Sequence, residues 1–378
     1  MNHQPIYLDY NATTPLDPRV ADAMEPFLRG HFGNPSSSHV FGREAGEAVR
    51  TARGHVAALL GAEPDEIVFT SGGTESDNMA IFGVAAARHR RGRHLITSAV
   101  EHPAVLEPCR VLEQQGCELQ VLPVDASGRV DPDDLAAALR PDTVLVSVMH
   151  VNNEVGRVQP IAELSTLCRA RDVWLHSDAA QSVSKIPVNV DDLGVDLLTV
   201  ASHKLYGPKG IGALYIRRGC EIPRFIHGAN HEQGRRAGTE NVLEIVGLGE
   251  AARLAREELP EGMAHSRTLR DMLLAALQER MGPLAVNGDL ESGLPNTLSV
   301  SFPGVDAAGL LRDLGDRVAA SPGAACHADG VEMSSVLAAM QVPVDLAMGT
   351  VRFSVGRFTT EAEVVTAAAV VADALASG

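Results

Sequence analysis

Short apolar runs of strand length alternate with amphipathic helical runs through the first two thirds of the chain, and this alternation limits the fold more than any other feature. Residues 66–70 (EIVFT), 94–98 (HLITS), 118–123 (ELQVLP), 143–149 (TVLVSVM), 173–176 (VWLH) and 197–200 (LLTV) read as strands. Between them 75–87, 131–140 and 160–171 read as helices, the last two entered at an Asp and a Pro. Strand–helix alternation predicts a mostly parallel sheet covered by helices on both faces. Residues 210–217 (GIGALYIR) read as an antiparallel strand that closes it.

The pattern changes near residue 255. Residues 251–280 are helix-rich and charged, interrupted at Pro260 and Gly262; short strands follow at 297–302 and 351–355, and helices at 307–314 and 361–376. The expected architecture is a large α/β domain over 15–255 and a smaller α+β domain made of 1–14 and 256–378.

Composition narrows the function. Of 378 residues, 45% are hydrophobic, enough for a sizeable core, and the net charge of −16 argues against a nucleic-acid surface, which needs a basic stripe. A small-molecule enzyme fits better. The five cysteines (Cys109, Cys117, Cys168, Cys220, Cys326) form no CxxC pair and are odd in number. That argues against a disulfide framework or an all-cysteine zinc site and for a reducing cytoplasm. The first residues carry no basic region followed by an apolar stretch, and no apolar run is long enough to span a membrane, so neither a secretory signal nor membrane insertion is expected.

Several residues with chemical potential fall just past expected strands. Ser71-Gly72-Gly73-Thr74 leaves a strand and opens a helix, where free N–H groups and the helix dipole favour an anion such as phosphate; the same pattern also serves an ordinary strand–helix turn. His102 suits stacking on a flat aromatic ring, or is a loop histidine. Asp178 can pair with a pyridine nitrogen and Gln181 donate to a phenolate oxygen, although an aspartate here also serves as a helix N-cap. Lys204, in SHKLYGPKG (202–210), follows an apolar strand into a partly desolvated position that lowers an amine pKa; the alternative is a surface lysine. With Asn153, these residues follow one another along the carboxyl ends of successive strands, the edge where open α/β sheets bind ligands. Far downstream, Cys326 sits among small residues in SPGAACH (321–327), a composition that suits an accessible thiol nucleophile, and Arg352 lies in a strand where its fork suits an α-carboxylate or a salt bridge. A Schiff-base lysine upstream and a reactive thiol downstream point to pyridoxal phosphate chemistry that ends on sulfur.

Taken together these residues resemble the cysteine desulfurases of the class V aminotransferase fold. The resemblance runs from 7–15 (YLDYNATTP) through 69–78 (FTSGGTESDN), 149–156 (MHVNNEVG) and 236–241 (RAGTEN) to 352–360 (RFSVGRFTT). It implies fold type I and a set of roles. Lys204 carries the cofactor as a Schiff base, His102 stacks on its ring, Asp178 pairs with the ring nitrogen and Gln181 with the phenolate. Gly73, Thr74, Ser202 and His203 lie at the phosphate, and Thr239 reaches the phosphate of a partner subunit in a homodimer with shared sites. Asn153 and Arg352 bind the substrate carboxylate. Cys326 takes sulfur from L-cysteine as a persulfide, leaving L-alanine, and passes it to an acceptor protein. The chain departs from the enzymes of iron–sulfur assembly in three places: Ala201 replaces a serine three residues before the lysine, His327-Ala328-Asp329 follows the cysteine, and the sequence given stops at Gly378. The Cys-His run is similar to selenocysteine lyases, which makes release of selenium from L-selenocysteine the alternative reading, with other class V aminotransferases or lyases behind it.

Overall fold

The computed structural model describes residues 5–327 and 330–377, with backbone alone at 324–327, 330–332 and 377. The chain opens with β1 (Ile6–Tyr7), α1 (Pro18–Arg29) and α2 (Val40–Leu60). It then alternates β2 (Ile67–Thr70), α3 (Gly73–Ala87), β3 (His94–Ser98), α4 (Pro103–Gln114), β4 (Glu118–Leu122), α5 (Pro132–Ala138), β5 (Thr143–Ser147), α6 (Ile161–Ala170), β6 (Trp174–Asp178), α7 (Val190–Leu193), β7 (Leu197–Ala201) and β8 (Gly212–Ile216).

Strands β2 to β8 form one seven-stranded sheet in the order β2-β8-β7-β6-β5-β3-β4. The run from β4 to β7 is parallel, and β8 is antiparallel to both of its neighbours, as the expected closing strand requires. Neighbouring residues on a strand point to opposite faces. Val68, Leu95, Leu145 and Leu197 therefore join one core layer, and Phe69, Ile96, Val146 and Leu198 the other. Burial on both faces explains the unbroken apolar runs. Edge strand β4 is the exception: Glu118 and Gln120 keep its rim polar, which discourages pairing with another chain.

The rest of the chain comprises α8 (Val242–Met281), β9 (Ala285–Asn287), β10 (Thr297–Ser301), α9 (Ala307–Leu314), β11 (Val318–Ala319), β12 (Ser321–Pro322), β13 (Ala324–His327), β14 (Gly330–Met333), α10 (Ser335–Ala339), α11 (Val344–Met348), β15 (Thr350–Ser354) and α12 (Glu361–Ser377). Strands β12, β15, β10 and β9 make an antiparallel sheet in that order, β13 and β14 form a hairpin, and β1 pairs in parallel with β11. A second core gathers Leu298, Val300, Phe302, Val351, Phe353 and Val364 around Leu8.

Pro260 and Gly262 do not interrupt α8, contrary to expectation; Pro260 lies inside a continuous helix. A proline there costs about 3 kcal/mol against alanine. Both ends of α8 are anchored in different cores, Ile245, Leu248 and Ala252 in the first and Leu269, Leu273 and Leu277 in the second, and this burial outweighs the local cost. Among the described residues no helix is long and apolar enough to cross a membrane.

Candidate active site

The carboxyl ends of the parallel strands open into a cavity of about 410 Å³. Gly73, Thr74, His102, Asn153, Asp178, Gln181, His203, Lys204 and Arg352 all line it. Nine of the residues singled out from sequence are thus brought to one place.

The turn between β2 and α3 is shaped for close approach. Gly72 has φ 150°, a value that favours glycine, and a Cβ at Gly212 would fall 2.8 Å from Gly72 Cα. Ser71 N–H is taken by Glu75 Oε2 at 2.8 Å, and Arg236 in turn holds Glu75 Oε1 at 2.9 Å. The 236–241 motif therefore packs against the start of α3. Thr239 does not reach the main cavity: with Ser71, Gly210 and Arg236 it lines a separate one of about 250 Å³.

His102 caps α4, and its Nδ1 accepts the Ala104 N–H at 3.1 Å. The neutral ring therefore carries its proton on Nε2. Burial pulls its pKa down, with Lys204 adding to the fall and Asp178 opposing it. Asp178 ends β6, fully buried, and its Oδ1 accepts the Ala180 N–H at 2.9 Å. Burial pushes its carboxyl up, while Ala180, His102 and Lys204 pull it back.

Lys204 sits in a single turn after β7, as sequence suggested. Its Nζ donates to the Asn11 carbonyl at 2.6 Å and the Ala12 carbonyl at 2.7 Å. Burial and Arg352 bring its pKa down to about 8, against the pull of Asp178 and Asp9. An amine with that pKa is a substantial nucleophile near neutrality. His203, whose ring lies 3.1 Å from Thr13 Oγ1, is held neutral by burial and the nearby lysines, with its pKa down to about 4.

Arg352 projects from β15 and is held on several sides. Nη2 donates to Asp9 Oδ1 at 2.7 Å and Ser321 Oγ at 2.8 Å, and Nη1 to the Asn153 carbonyl at 3.1 Å. Its buried Nε has no hydrogen-bond partner among the described residues.

Ser202 is placed differently from expectation. It is buried and absent from the cavity lining; a Cβ on Gly207 would lie 2.1 Å from its Oγ, so the hydroxyl faces that turn, and it has no hydrogen-bond partner among the described residues.

Cys326 lies on β13, opposite Val331 on β14. Its side chain, like residues 328 and 329, lies outside what the structure describes. The hairpin is fixed at its base, where Ser334 N–H donates to the Gly323 carbonyl at 3.0 Å and Ser334 Oγ to Glu154 Oε2. The other cysteines are free, and burial pushes Cys109, Cys168 and Cys220 up to about 12, which makes their thiols inert near neutrality.

Sequence reasoning missed several residues here. Asn11 is central. Its carbonyl takes both Lys204 and Gln181, and its side chain meets Lys185, Asn296, Thr297 and the Asn153 carbonyl. Asp77 lines the cavity floor, 3.6 Å from the buried His176, and is pushed well up by burial and by Asp178, while His176 is pulled down to about 3. The His176 imidazole is therefore neutral near pH 7, and burial beside Asp178 disfavours the charged form of Asp77. Glu101, which takes hydrogen bonds from Ser98 Oγ and the Met149 N–H, is buried, and that burial pushes it up to about 8.

Comparison with known proteins agrees with this geometry. The Aminotransferase class-V family profile matches residues 6–366. The cysteine desulfurase IscS of Dictyoglomus turgidum is 51% identical over 357 residues, covering 94% of this chain and 91% of the relative. Among solved structures, a NifS-like protein superposes with a TM-score of 0.93 at 38% identity over 100% of both chains. SspA in complex with cysteine superposes with a TM-score of 0.81 at 36% identity over 94% of this chain and 99% of its own. The chain belongs to the class V aminotransferases and, among them, to the pyridoxal-phosphate-dependent cysteine desulfurases.

Proposed function

We propose that this cavity holds pyridoxal phosphate and L-cysteine, and that Cys326 receives the sulfur. The observation that carries the reading is the convergence of Lys204, Asp178, His102 and Gln181 on one cavity beside the start of α3. The donor set fits the cofactor: a buried carboxylate for a ring nitrogen, an imidazole for its face, an amide N–H for its phenolate, and an amine of lowered pKa for its aldehyde. When bound, the cofactor supplies an aldehyde that condenses with amines and a ring that accepts electron density from the substrate carbon.

The chain's own residues do the rest. Lys204 would hold the aldehyde, its amine kept nucleophilic by the lowered pKa. Asp178 would hold the ring nitrogen in its protonated form, a counter-charge that a buried carboxylate otherwise lacks. Gly73, Thr74 and His203 surround the phosphate at the α3 N-terminus. Arg352 and Asn153 take the substrate carboxylate. The Cys326 thiolate attacks the substrate sulfur; an S–S bond forms, the C–S bond breaks, and the carbon fragment takes up a proton to leave as L-alanine. The extra sulfur remains as a persulfide and passes to an acceptor protein. The neighbour solved with cysteine supports this substrate class.

Two organisational features belong to the same reading. The chain divides at residue 255 into the seven-stranded-sheet domain, 15–255, and a smaller one formed by 1–14 and 256–378, each around its own core. Thr239, which lines a separate cavity in its own chain, serves the phosphate of a partner in a homodimer. The free thiols suit a reducing compartment, the cytoplasm.

The test is alanine release by the purified, cofactor-loaded protein from L-cysteine and L-selenocysteine, side by side under reductant, with mass analysis of the peptide containing Cys326. Alanine from cysteine and one added sulfur on Cys326 support the reading. Alanine from selenocysteine alone, or unchanged sulfur transfer by Cys326→Ala, overturns it.

A further inference from the structure

Lys185 follows Gln181 by four residues, and no site motif includes it. Its Nζ lies 2.7 Å from Gln181 Oε1 and 3.0 Å from Asn11 Oδ1. Gln181 Nε2 in turn donates to the Asn11 carbonyl at 2.9 Å. A lysine nitrogen of this kind donates and a carbonyl oxygen only accepts, so the two neighbours fix the amide between them. Turning it over would set oxygen against oxygen at Asn11 and an N–H against the Lys185 donors. One N–H of Gln181 is left over, on a side chain that lines the cavity.

We propose that Lys185 is a positioning residue for the desulfurase reaction: it holds the Gln181 amide so that an N–H, and not the carbonyl oxygen, faces the phenolate oxygen of bound pyridoxal phosphate. The inference rests on the assignment of Gln181 to that oxygen.

The surroundings of Lys185 favour a directional role over a stabilising one. Among the described residues it has no ion-pair partner; both of its hydrogen bonds go to amide oxygens. Lys185 is half-buried, and an amine taken partly out of water without a counter-charge costs stability that an apolar side chain of similar shape would not. Burial, with Lys204 and Arg352 nearby, pulls its pKa far down. A neutral amine still offers two N–H donors, so the orientation survives either protonation state. Asn11 is tied in the same way: Asn296 Nδ2 donates to its Oδ1 at 3.0 Å, and its carbonyl also accepts Lys204 at 2.6 Å. Lys185 thus holds both ends of the Gln181–Asn11 pair that faces the reactive amine.

An N–H directed at the phenolate stabilises its ionised form and lowers the pH at which the Lys204 adduct loses its proton. The visible absorption of the loaded protein reports that pH without turnover. The experiment compares Lys185→Met, Lys185→Gln and Gln181→Met, each loaded with pyridoxal phosphate and titrated spectrophotometrically, with cofactor dissociation constants measured in parallel. Lys185→Met, which removes the donor but keeps the bulk, is expected to raise the transition by about one pH unit, a tenfold change in proton affinity. Lys185→Gln, which restores a donor, is expected to return most of the way to wild type. A Lys185→Met transition equal to wild type, or one shared by Lys185→Gln, overturns the inference while Gln181→Met still shifts. No shift in Gln181→Met overturns the assignment of Gln181 itself, and the inference with it.

Discussion

Asp9 Oδ1 lies 2.7 Å from Arg352 Nη2, joining residues 343 positions apart. The pair fixes where the guanidinium can point. With Ser321 and the Asn153 carbonyl also bound, the side chain has little room to swing, and its charge is only partly spent on Asp9. A substrate carboxylate would meet a fork already in position, so little ordering entropy is lost on binding.

Arg352→Ala is therefore expected to raise KM for L-cysteine by roughly 10- to 100-fold, the worth of hydrogen bonds to a charged group. Arg352→Lys is expected to recover little, because a single ammonium cannot engage Asp9, Ser321, Asn153 and a substrate together. Steady-state kinetics on cofactor-saturated protein check both.

Lys204 ties pH to cofactor capture. Its pKa is down to about 8, below an ordinary value of 10.5. Below pH 8 the ammonium form dominates and cannot attack an aldehyde; above it the free amine does. The rate at which the apoprotein takes up pyridoxal phosphate is expected to rise about tenfold per pH unit up to about 8 and then level off. Stopped-flow absorbance follows it. Lys204→Ala should give no borohydride-reducible adduct at any pH.

Glu101 predicts a stability effect of opposite pH sense. Burial pushes its carboxyl up to about 8 from 4.5. The folded chain holds a proton there that the unfolded chain releases above pH 4.5. The contribution is complete below that value and is lost as pH rises through 8. Glu101→Gln, which mimics the protonated acid, is expected to flatten the decline in Tm over that window and to raise Tm at pH 8 by about 2 °C or more. Calorimetry at several pH values decides it.

The proposed sharing of sites between subunits predicts complementation. Thr239→Val is expected to weaken cofactor binding about tenfold or more, by loss of a hydrogen bond to a charged group. Co-expressed with Lys204→Ala, it should yield mixed dimers carrying one intact site, which combines Lys204 from one subunit with Thr239 from the other. Recovery of up to about half the activity per mixed dimer supports the arrangement; no recovery in purified mixed dimers argues against it.

Sequence made the parallel sheet legible because its strands are apolar on both faces, and Leu95 and Ile96 show why: adjacent side chains serve different cores. It was weaker wherever tertiary packing overrode local preference. Pro260 sits in a helix held at both ends, which a local reading cannot see. Helix α4 went unnoticed because His102 acts as its cap, a role the more familiar Ser, Thr, Asp and Asn usually take. Eight of the nine cavity-lining residues were readable because they end or follow a strand of the large sheet, and Arg352 because it is a basic residue inside a short apolar strand. Ser202 follows one too, but the close approach of Gly207 turns its hydroxyl away. Asn11 and Lys185 were missed because they act through other residues, and their hydrogen bonds span sequence separations of up to 343 residues.

The parallel pairing of β1 with β11, together with the reach of Asn11 to Asn296 and Ser354, has a consequence for how the protein is made. At about 5–20 residues per second, a ribosome needs on the order of tens of seconds to pass from residue 11 to residue 354. Once residue 216 has been added, and until residue 354 follows, the nascent seven-stranded sheet has its lysine and aspartate but no arginine wall and no complete second core. The amino-terminal strand has to wait, unpaired, for a partner made more than 300 residues later. Such long-range closure is slow and leaves an edge exposed meanwhile, so early loading with the cofactor would serve the growing chain as a folding aid before it serves as a catalyst.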